Sequence, residues 1–398
     1  MKSKIINITL MLLTLITLDV QSESMFYSKI GGLDGIKVQE IELKDSESEV
    51  ASNIFSKISC KQLHCYAIMD NKLYAIGRNY NGQLGQGDKV DRMFWTEVVG
   101  MEGTTDVVAG GNFGYAIKDG LVYSVGGNQY GQLSQGNNID SSIWNVIAGI
   151  NDFNKIYAGA LHAYGLKEGQ LYSVGSNGQG ALGLSSTNNK NKFEKILNMK
   201  NVSKVVAGGN HAYVLNNNYL YVVGTNGQGE LGNSLSNLSQ SFIMNNSVQN
   251  VSDIYSGISS GYVISNGNLY STGYNGYGQL GRDGRKNQYG FGLVSGISGV
   301  EKIIAGTYSS YAIKDGKIYS IGKNNAGQLG RNGVVNSYTW GLFEGLEDVT
   351  SIEVGEDFAY IFSGGKLYTI GDNSYGQLGT GNKEVQANLV EVDLSYLK

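Results

Sequence analysis

Three histidines and two cysteines are the side chains of this 398-residue sequence best suited to metal binding or nucleophilic chemistry. His64, His162 and His211 each stand ten residues before a tyrosine that recurs at a fixed period. A zinc site needs three or four ligands that converge on one point, whereas these histidines occupy one phase of three separate repeat units. In the other units the same position holds Phe113, Ser260, Ser309 and Phe358. We therefore expect that the histidines occupy a structural position of the repeat and do not form a metal site.

The two cysteines, Cys60 and Cys65, lie on either side of a four-residue segment. If that segment is a loop between antiparallel strands, the two side chains face each other across the strands. An exported protein can keep a disulfide at such a place. The other repeat units carry mostly small residues at both positions, which fits two buried free thiols equally well. The sequence leaves both interpretations open, although a redox-active pair is more often Cys-x-x-Cys.

The remaining polar residues do not form the pattern of an enzyme or of a nucleic-acid-binding protein. Asp70, Asp119 and Asp315 recur at one phase, where turn formation explains them. The glycine-rich loops lack the Lys-Ser/Thr pair and the following helix of a phosphate loop. The net charge is −4, and neither sign of charge is concentrated along the chain. We expect a non-enzymatic protein that needs no cofactor and binds no nucleic acid.

A repeat of 49 residues organises the chain, as from position 74 to position 123. Its tyrosines are Tyr74, Tyr123, Tyr172, Tyr221, Tyr270, Tyr319 and Tyr368. Each is followed at fixed distances by a glycine, an asparagine, a second glycine and a leucine, which in the first copy are Gly77, Asn79, Gly82 and Leu84. Glycine at a fixed place indicates positive φ or close chain approach, and asparagine suits a turn. The leucine is predicted to anchor the loop in the core.

Each repeat unit predicts four short strands. Two-residue turns such as Asp119-Gly120 favour a hairpin, an aliphatic position sixteen residues before the tyrosine marks an earlier strand, and an aromatic residue such as Trp95 opens a fourth one. Four strands in each of seven units predict an all-β, seven-bladed β-propeller of four-stranded antiparallel blades. We assign the propeller to residues 51–398 and an irregular or ring-closing segment to residues 25–50. Fourth-strand patterns occur at both ends, at Ile36 to Leu43 and at Leu389 to Leu394.

The first residues have a different composition. Lys2 and Lys4 precede an apolar run from Ile5 to Val20, followed by small residues. This order is typical of a secretory signal peptide, which we assign to residues 1–24. The alternative is an uncleaved anchor, for which the run is short. We expect a secreted or cell-envelope protein that contacts no membrane beyond such an anchor.

The strand directions place the asparagine-containing loops and the histidine-containing loops on the same face of the ring. This face carries the predicted binding residues His64, Arg78, Tyr80, Phe113, Tyr130, His162, His211, Tyr274, Tyr277, Arg282, Arg285, Arg331, Phe358 and Tyr375. Tyrosine and arginine are common at protein–protein hot spots. An ordinary loop surface in a protein with 27 tyrosines would have the same composition.

The motif Tyr-x-x-Gly-x-Asn-x-x-Gly-Gln-Leu-Gly, with the preceding loop Ala207-Gly208-Gly209-Asn210-His211, resembles the repeat of the regulator of chromosome condensation family. The resemblance covers about residues 50–398 and implies a seven-bladed propeller. The family's founding activity is guanine-nucleotide exchange on the GTPase Ran, together with docking on chromatin. Other members are interaction modules, and a secreted β-lactamase inhibitor shares the architecture. The constant spacing between Tyr74 and Tyr368 leaves no room for the inserted wedge of the exchange factor, and the chain starts with an apolar segment instead of a basic tail.

The leading hypothesis is therefore an exported, monomeric, non-enzymatic propeller that binds another protein through the loops of one face. The alternative is a guanine-nucleotide exchange factor or other regulator of a small GTPase. A ring that binds a carbohydrate or another ligand is a third hypothesis.

Overall fold

The computed structural model describes residues 55–234, 238–282 and 284–397. These residues form seven four-stranded antiparallel sheets arranged as the blades of a ring. The one helix among them is the 3₁₀ turn Ser395–Leu397. The prediction of an all-β, seven-bladed propeller is confirmed. The predicted signal peptide, the 25–50 segment and the strand-like Ile36 to Leu43 lie outside the described residues.

The strands of each blade follow one another in chain order. The first blade contains β1 (Lys57–Lys61), β2 (His64–Met69), β3 (Lys72–Gly77) and β4 (Arg92–Glu97). The second contains β5 (Thr104–Ala109), β6 (Phe113–Lys118), β7 (Leu121–Gly126) and β8 (Ser141–Asn151). The third contains β9 (Lys155–Ala158), β10 (His162–Lys167), β11 (Gln170–Gly175) and β12 (Lys190–Lys195). The fourth contains β13 (Lys204–Ala207), β14 (His211–Asn216), β15 (Tyr219–Thr225) and β16 (Leu238–Met244).

The remaining three blades repeat the same arrangement. The fifth contains β17 (Val251–Ser256), β18 (Ser260–Ser265), β19 (Asn268–Gly273) and β20 (Gln288–Leu293). The sixth contains β21 (Lys302–Ala305), β22 (Ser309–Lys314), β23 (Lys317–Lys323) and β24 (Asn336–Leu342). The seventh contains β25 (Val349–Val354), β26 (Phe358–Ser363), β27 (Lys366–Gly371) and β28 (Gln386–Glu391). The first strands of neighbouring blades contact one another, so they line the centre of the ring.

Two-residue turns join the second and third strands of every blade. In the second blade, Asp119 and Gly120 have φ angles of 51° and 73°, and they connect the paired residues Lys118 and Leu121. Both turn residues have positive φ in all seven blades, which is the requirement of a type I′ turn. Aspartate, asparagine and glycine tolerate this conformation best, so the sequence determines the hairpin register at these positions.

The repeated asparagine fixes the loop between the third and fourth strands. Asn128 accepts a hydrogen bond from the backbone N–H of Leu133 at 2.9 Å. Its amide nitrogen donates to the backbone carbonyls of Asn137 and Ile139 at 3.0 and 3.1 Å. The hydrogen bond from the leucine N–H to the asparagine side-chain oxygen recurs in every blade. Each of these leucines is at most 1 % exposed. Both predicted roles, the turn asparagine and the core leucine, are confirmed.

The glycine three residues after each repeated tyrosine has a φ between 97° and 112°. In the second blade this is Gly126, where an added Cβ would lie 2.5 Å from the carbonyl oxygen of Asn112. Both the positive φ and the close approach require glycine at this point. The pairing of the third and fourth strands shifts register just before this glycine, as between Ser124 and Gly126.

A second tyrosine, eight residues before the first, packs each blade on the next one. Its hydroxyl donates to the carbonyl of the residue before the loop leucine in all seven blades. In five blades its ring contacts the fourth-strand aromatic residue of the following blade, as Tyr66 contacts Trp144 with 5.4 Å between ring centroids. The aromatic position therefore serves blade packing. It lies inside the fourth strand and does not open it: Trp95 is the fourth residue of β4.

The seventh blade closes on the first through the C-terminal segment. Tyr360 contacts Trp95 with 5.5 Å between ring centroids, and the backbone N–H of Trp95 donates to the Tyr396 hydroxyl at 2.9 Å. The fourth strand of the seventh blade is β28, so the predicted bounds Leu389 to Leu394 are wrong by three residues. Val392 and Leu394 are buried instead in the core between the seventh and first blades.

Cys60 and Cys65 form a disulfide between the paired strands β1 and β2. Their Cα atoms are 4.2 Å apart, and the two residues are direct partners in the register. Of the two interpretations left open by the sequence, the structure shows the bridge. It lies next to the paired residues Lys61 and His64, which flank the two-residue turn Gln62 and Leu63.

The three histidines lie in the core, where the second strand begins. His64, His162 and His211 are fully buried, and each packs its ring on the tyrosine two residues later, with centroids 5.1–5.4 Å apart. Removal of the imidazole from water lowers the pKa of each to about 3, so all three are neutral. Phe113 and Phe358 fill the same position in their blades and are equally buried.

The loop leucine should contribute strongly to stability. We expect Leu231→Ala to lower the free energy of unfolding by about 2–5 kcal/mol, because it leaves a cavity at a position that is 1 % exposed. Denaturant unfolding of the purified chain measures this loss. Leu197→Ala is the control, since Leu197 is 74 % exposed and its truncation should cost less than about 0.5 kcal/mol. Equal losses in the two variants would contradict the anchoring role.

The buried histidines should make the protein less stable in acid. Their folded-state pKa lies below the unfolded value of about 6.5, so the unfolded chain binds more protons and stability falls as pH drops from about 6.5 towards 3. We expect His162→Phe, which copies the second and seventh blades, to reduce this fall by about 1.4 kcal/mol per pH unit below about pH 6. Urea unfolding at several pH values compares the two slopes. Parallel slopes would show that His162 is not buried in the neutral form.

Candidate functional site

The candidate site is the face of the ring that carries two sets of loops. One set joins the first and second strands of each blade, and the other joins the third and fourth strands. The backbone N–H of Arg78 donates to Leu63 O at 2.9 Å, and that of Asp372 donates to Asp357 O at 2.9 Å. These bonds join the two loops within a blade, so both sets lie together as predicted. We call this surface the loop face, and the side with the two-residue turns the hairpin face.

Five of the predicted binding residues are buried and offer no surface on this face: His64, Phe113, His162, His211 and Phe358. The inward position follows from the loops between the first and second strands. In six blades a glycine begins this loop, and the side chain three residues later folds beneath it: an added Cβ on Gly208 would lie 2.2 Å from the His211 ring. Sequence spacing correctly placed these residues at the end of a loop. It did not show in which direction their side chains point.

Arg282 and Arg331 are engaged in their own blades. Arg331 donates to the backbone carbonyls of Ser320 and Thr339 at 3.4 and 3.1 Å. Arg282 donates to the equivalent carbonyls of its blade at 3.2 and 3.0 Å. The same repeat position in the first blade is Gln86, which bonds the fourth strand in the same way. These two arginines therefore support the blades.

Arg78 and two tyrosines form one group at the boundary between the seventh and first blades. The Arg78 guanidinium carbon lies 5.1 Å from the Tyr375 ring centroid and 5.7 Å from that of Tyr80. Both distances are within the range of cation–π attraction. Tyr80 is 69 % exposed, so the group presents an aromatic surface to solvent.

Three further tyrosines cluster between the fifth and sixth blades. Tyr277 lies 6.5 Å from Tyr274 and 5.1 Å from Tyr308, measured between ring centroids. The Lys323 ammonium lies 5.3 Å from the Tyr308 ring centroid and pairs with Asp357 of the seventh blade. The sequence prediction missed Tyr308 and Lys323, because their proximity to Tyr277 arises only when neighbouring blades pack.

These two groups lie on one side of the loop face and are linked by carboxylates. Burial raises the pKa of Glu356, and the negative charge of Asp357 adds a smaller effect in the same direction. Glu356 also lies near Lys323, Asp372 and Arg78. We call the combined surface the crescent; its members are Arg78, Tyr80, Tyr274, Tyr277, Tyr308, Lys323, Glu356, Asp357, Asp372 and Tyr375. It spans the fifth, sixth, seventh and first blades.

The loop face of the second, third and fourth blades has a different composition. Its loops carry mainly glycine, asparagine, glutamine and alanine, and Tyr130, which is half-buried, is their one aromatic residue. Arg285, in the loop between the third and fourth strands of the fifth blade, is exposed beside Tyr338, with 5.6 Å from guanidinium carbon to ring centroid. Four of the five predicted tyrosines, but only Arg78 of the four predicted arginines, therefore lie in the crescent.

The described part of the chain contains neither a metal-ligand cluster nor a membrane-spanning helix. No group of three or more histidine, cysteine, aspartate or glutamate side chains is placed to hold a metal ion there. No helix of residues 55–234, 238–282 and 284–397 has the length and apolar character needed to cross a membrane.

Comparison with solved structures supports the fold. Human WBSCR16 superimposes with a TM-score of 0.71 at 18% identity, over 81% of this chain and 94% of that one. Prp20p from Saccharomyces cerevisiae gives a TM-score of 0.71 at 18% identity, over 86% and 88% of the two chains. Yeast RCC1 (Prp20) bound to Kap60 gives 0.67 at 18% identity, over 76% and 78%. At this identity the likeness concerns the fold alone.

The sequence comparisons address the family directly. No curated protein sequence matches the chain significantly. The family model of the regulator of chromosome condensation (RCC1) repeat matches residues 70–117, 168–215, 315–361 and 364–390. The four matches begin at or near the two-residue turns, and the other blades share the same repeat residues. The chain therefore carries regulator of chromosome condensation repeats over these residues and has the fold of a seven-bladed β-propeller.

Proposed function

We propose that the chain is an exported, non-enzymatic protein that binds another protein through the crescent. The observation that carries this proposal is the concentration of aromatic and charged side chains, most of them half-buried, on one half of the loop face. Tyrosine and arginine are over-represented at binding hot spots because they combine a large apolar area with a polar group. The rest of the loop face lacks such a concentration.

The crescent is ordered before any partner binds. Arg78 lies between two tyrosine rings, and Lys323 is held both by an aromatic ring and by Asp357. Side chains that are already fixed lose less conformational entropy on association. The mixture of three carboxylates and two cations favours a partner of mixed charge, such as a protein surface, over a nucleic acid.

Export rests on the N-terminal pattern and the disulfide. Bonds such as Cys60–Cys65 persist in oxidising compartments, and residues 1–24 have the composition of a signal peptide. A secreted or cell-envelope location follows from this proposal, and the mature propeller would act as a monomer.

Regulation of a small GTPase is the alternative function. It is supported by the fold shared with Prp20p, whose binding properties to Gsp1p and histones were described with its structure. A nucleotide-release assay on a panel of purified small GTPases separates the two hypotheses. Rapid release at catalytic concentrations of this chain would establish the alternative and end the non-enzymatic proposal.

Intact-mass measurement of secreted material tests export and the bridge together. We expect a mature chain that begins near Ser22 to Met25. We also expect no alkylation of Cys60 or Cys65 unless a reductant is added, because the bond forms on export. A full-length chain recovered from the cytosol with two reactive thiols would contradict both expectations.

Substitution in the crescent tests the binding surface. The mature chain is used as bait, and the affinity of a captured protein is then measured for the wild type and for variants. We expect Tyr277→Ala to weaken binding at least about tenfold, because it removes the ring at the centre of the tyrosine cluster.

Two tyrosines provide matched controls for this experiment. Tyr219 is 56 % exposed on the hairpin face, and Tyr130 lies on the loop face outside the crescent. Tyr219→Ala and Tyr130→Ala should leave the affinity unchanged. A partner that tolerates Tyr277→Ala but not one of these two substitutions would place the interface elsewhere.

A further inference from the structure

The centre of the ring contains a cavity of about 200 Å³ near the loop face. It is bordered by the first strands of the fifth, sixth, seventh and first blades and by the loops that follow them. Its walls include Lys61, Ile258, Lys302, Thr307 and Glu353. The crescent accounts for none of these five residues, so the cavity goes beyond the proposed function.

Two charged residues of the cavity depart from the repeat. The other six blades have glycine at the position of Lys61, namely Gly110, Gly159, Gly208, Gly257, Gly306 and Gly355. At the position of Glu353 the other blades have the uncharged residues Ser59, Val108, Tyr157, Val206, Tyr255 and Ile304. Because six blades fold without these charges, the architecture of a blade does not require them.

Lys61 reaches across the centre of the ring. Its ammonium donates to the backbone carbonyls of Ala158 and Ala207, at 3.1 and 2.9 Å, in the third and fourth blades. Its aliphatic stem thus forms a wall of the cavity, and one ammonium hydrogen is left over. Burial lowers the pKa of Lys61 to about 8, against the opposing effect of Glu353, so it is mainly protonated at neutral pH.

The charge at the centre of the ring is positive. The first strands place five lysines there, Lys57, Lys61, Lys155, Lys204 and Lys302, against three carboxylates, Asp106, Asp253 and Glu353. Lys57 and Lys204 pair with Asp106 and Asp253, whereas Lys302 has no ion pair among the described residues. Charges of one sign that line a channel raise the local potential. The whole chain has a net charge of −4, so the excess of positive charge is local.

Backbone donors are also free at the cavity. In neighbouring blades, loop N–H groups bond across the boundary: Gly209 donates to Ile258 O at 2.8 Å, and Glu356 donates to Gln62 O at 2.8 Å. This sequence of bonds is interrupted between the fifth, sixth and seventh blades, and also between the first and second. Within the described residues, the N–H groups of Ile258 and Thr307 donate no hydrogen bond. Both residues line the cavity, and unpaired N–H groups near ammonium groups favour an anion.

We propose that this cavity, the channel site, binds a small oxyanion of the carboxylate or sulfate/phosphate type. The ligands are the ammonium groups of Lys61 and Lys302 and the backbone N–H groups of Ile258 and Thr307. The volume accommodates a few heavy atoms, which excludes a polymer or a nucleotide.

Glu353 makes binding at the channel site depend on pH. Burial raises the pKa of Glu353 to about 7, although the positive charges of Lys302, Lys57 and Lys61 act to lower it. Tyr255 of β17 is the other titratable side chain that lines the cavity. A protonated Glu353 donates a hydrogen bond to an anion, whereas the ionised form repels it. Deprotonation of Lys61 at higher pH also weakens anion binding, so both groups make binding tighter as pH falls.

Calorimetric titration of the mature chain with sulfate, at constant ionic strength, tests the proposal. Sulfate keeps its charge across this pH range, so any pH dependence belongs to the protein. We expect binding at about pH 6 that is weaker by about tenfold or more at about pH 8. Malonate in a parallel titration distinguishes a carboxylate ligand from a tetrahedral one.

Variants assign the effect to the channel site. We expect Lys302→Met to weaken sulfate binding about tenfold, and Lys61→Gly, which restores the residue of the other six blades, to do the same. Glu353→Gln should keep binding but lose most of its pH dependence. The control is Lys317→Met, since Lys317 is an exposed lysine of the same blade, at the start of β23.

Three outcomes would overturn the proposal. The first is that neither sulfate nor malonate binds to the folded wild type. The second is binding that Lys302→Met and Lys61→Gly leave unchanged. The third is that free glycine binds while sulfate and malonate do not. The cavity would then be a site for a zwitterion whose ammonium group is held by Glu353.

Discussion

The hydrogen bond from a buried tyrosine to a loop carbonyl is the interaction on which the structure depends. The Tyr262 hydroxyl, for example, donates to Gln279 O at 2.8 Å from a fully buried position. A buried hydroxyl without a partner would be costly, so the loop between the third and fourth strands must come back to this point. The same ring packs on the next blade. One side chain therefore fixes the loop, the blade and the boundary between blades, and the ring repeats this arrangement seven times.

Much of the fold could be predicted, because each repeat unit solves the same local problem with the same residues. The two-residue turns and the asparagine loops depend on backbone conformation and on bonds within a few residues, which sequence spacing reveals. The bounds of the fourth strand could not be predicted. These bounds depend on a shift of register between the third and fourth strands, just before the glycine that follows each repeated tyrosine. Because of this shift, the fourth strand begins to pair earlier in the sequence than its apolar residues indicate. In the last blade β28 starts at Gln386, opposite Gly371, while the apolar Val392 and Leu394 belong to the closing core.

The candidate site was less predictable, since a surface belongs to several blades at once. Loop position alone does not show whether a side chain points outward. His211 folds beneath Gly208, and Arg331 turns back onto its own blade. Tyr308 and Lys323 carry no motif. They become part of a surface only because the fifth, sixth and seventh blades meet, and that contact is a property of the closed ring.

Departures from the repeat are the most informative residues in such a chain. Residues that every blade shares are explained by the folding of a blade. A residue that occurs in one blade alone is not needed for that fold. Lys61, Glu353 and the Cys60–Cys65 bridge are three such departures, and all lie where the seventh blade meets the first. The bridge closes the short loop that begins with Lys61, so it holds in place the side chain that crosses to the third and fourth blades. The crescent occupies the same side of the ring. The blades around this boundary therefore carry both candidate binding sites.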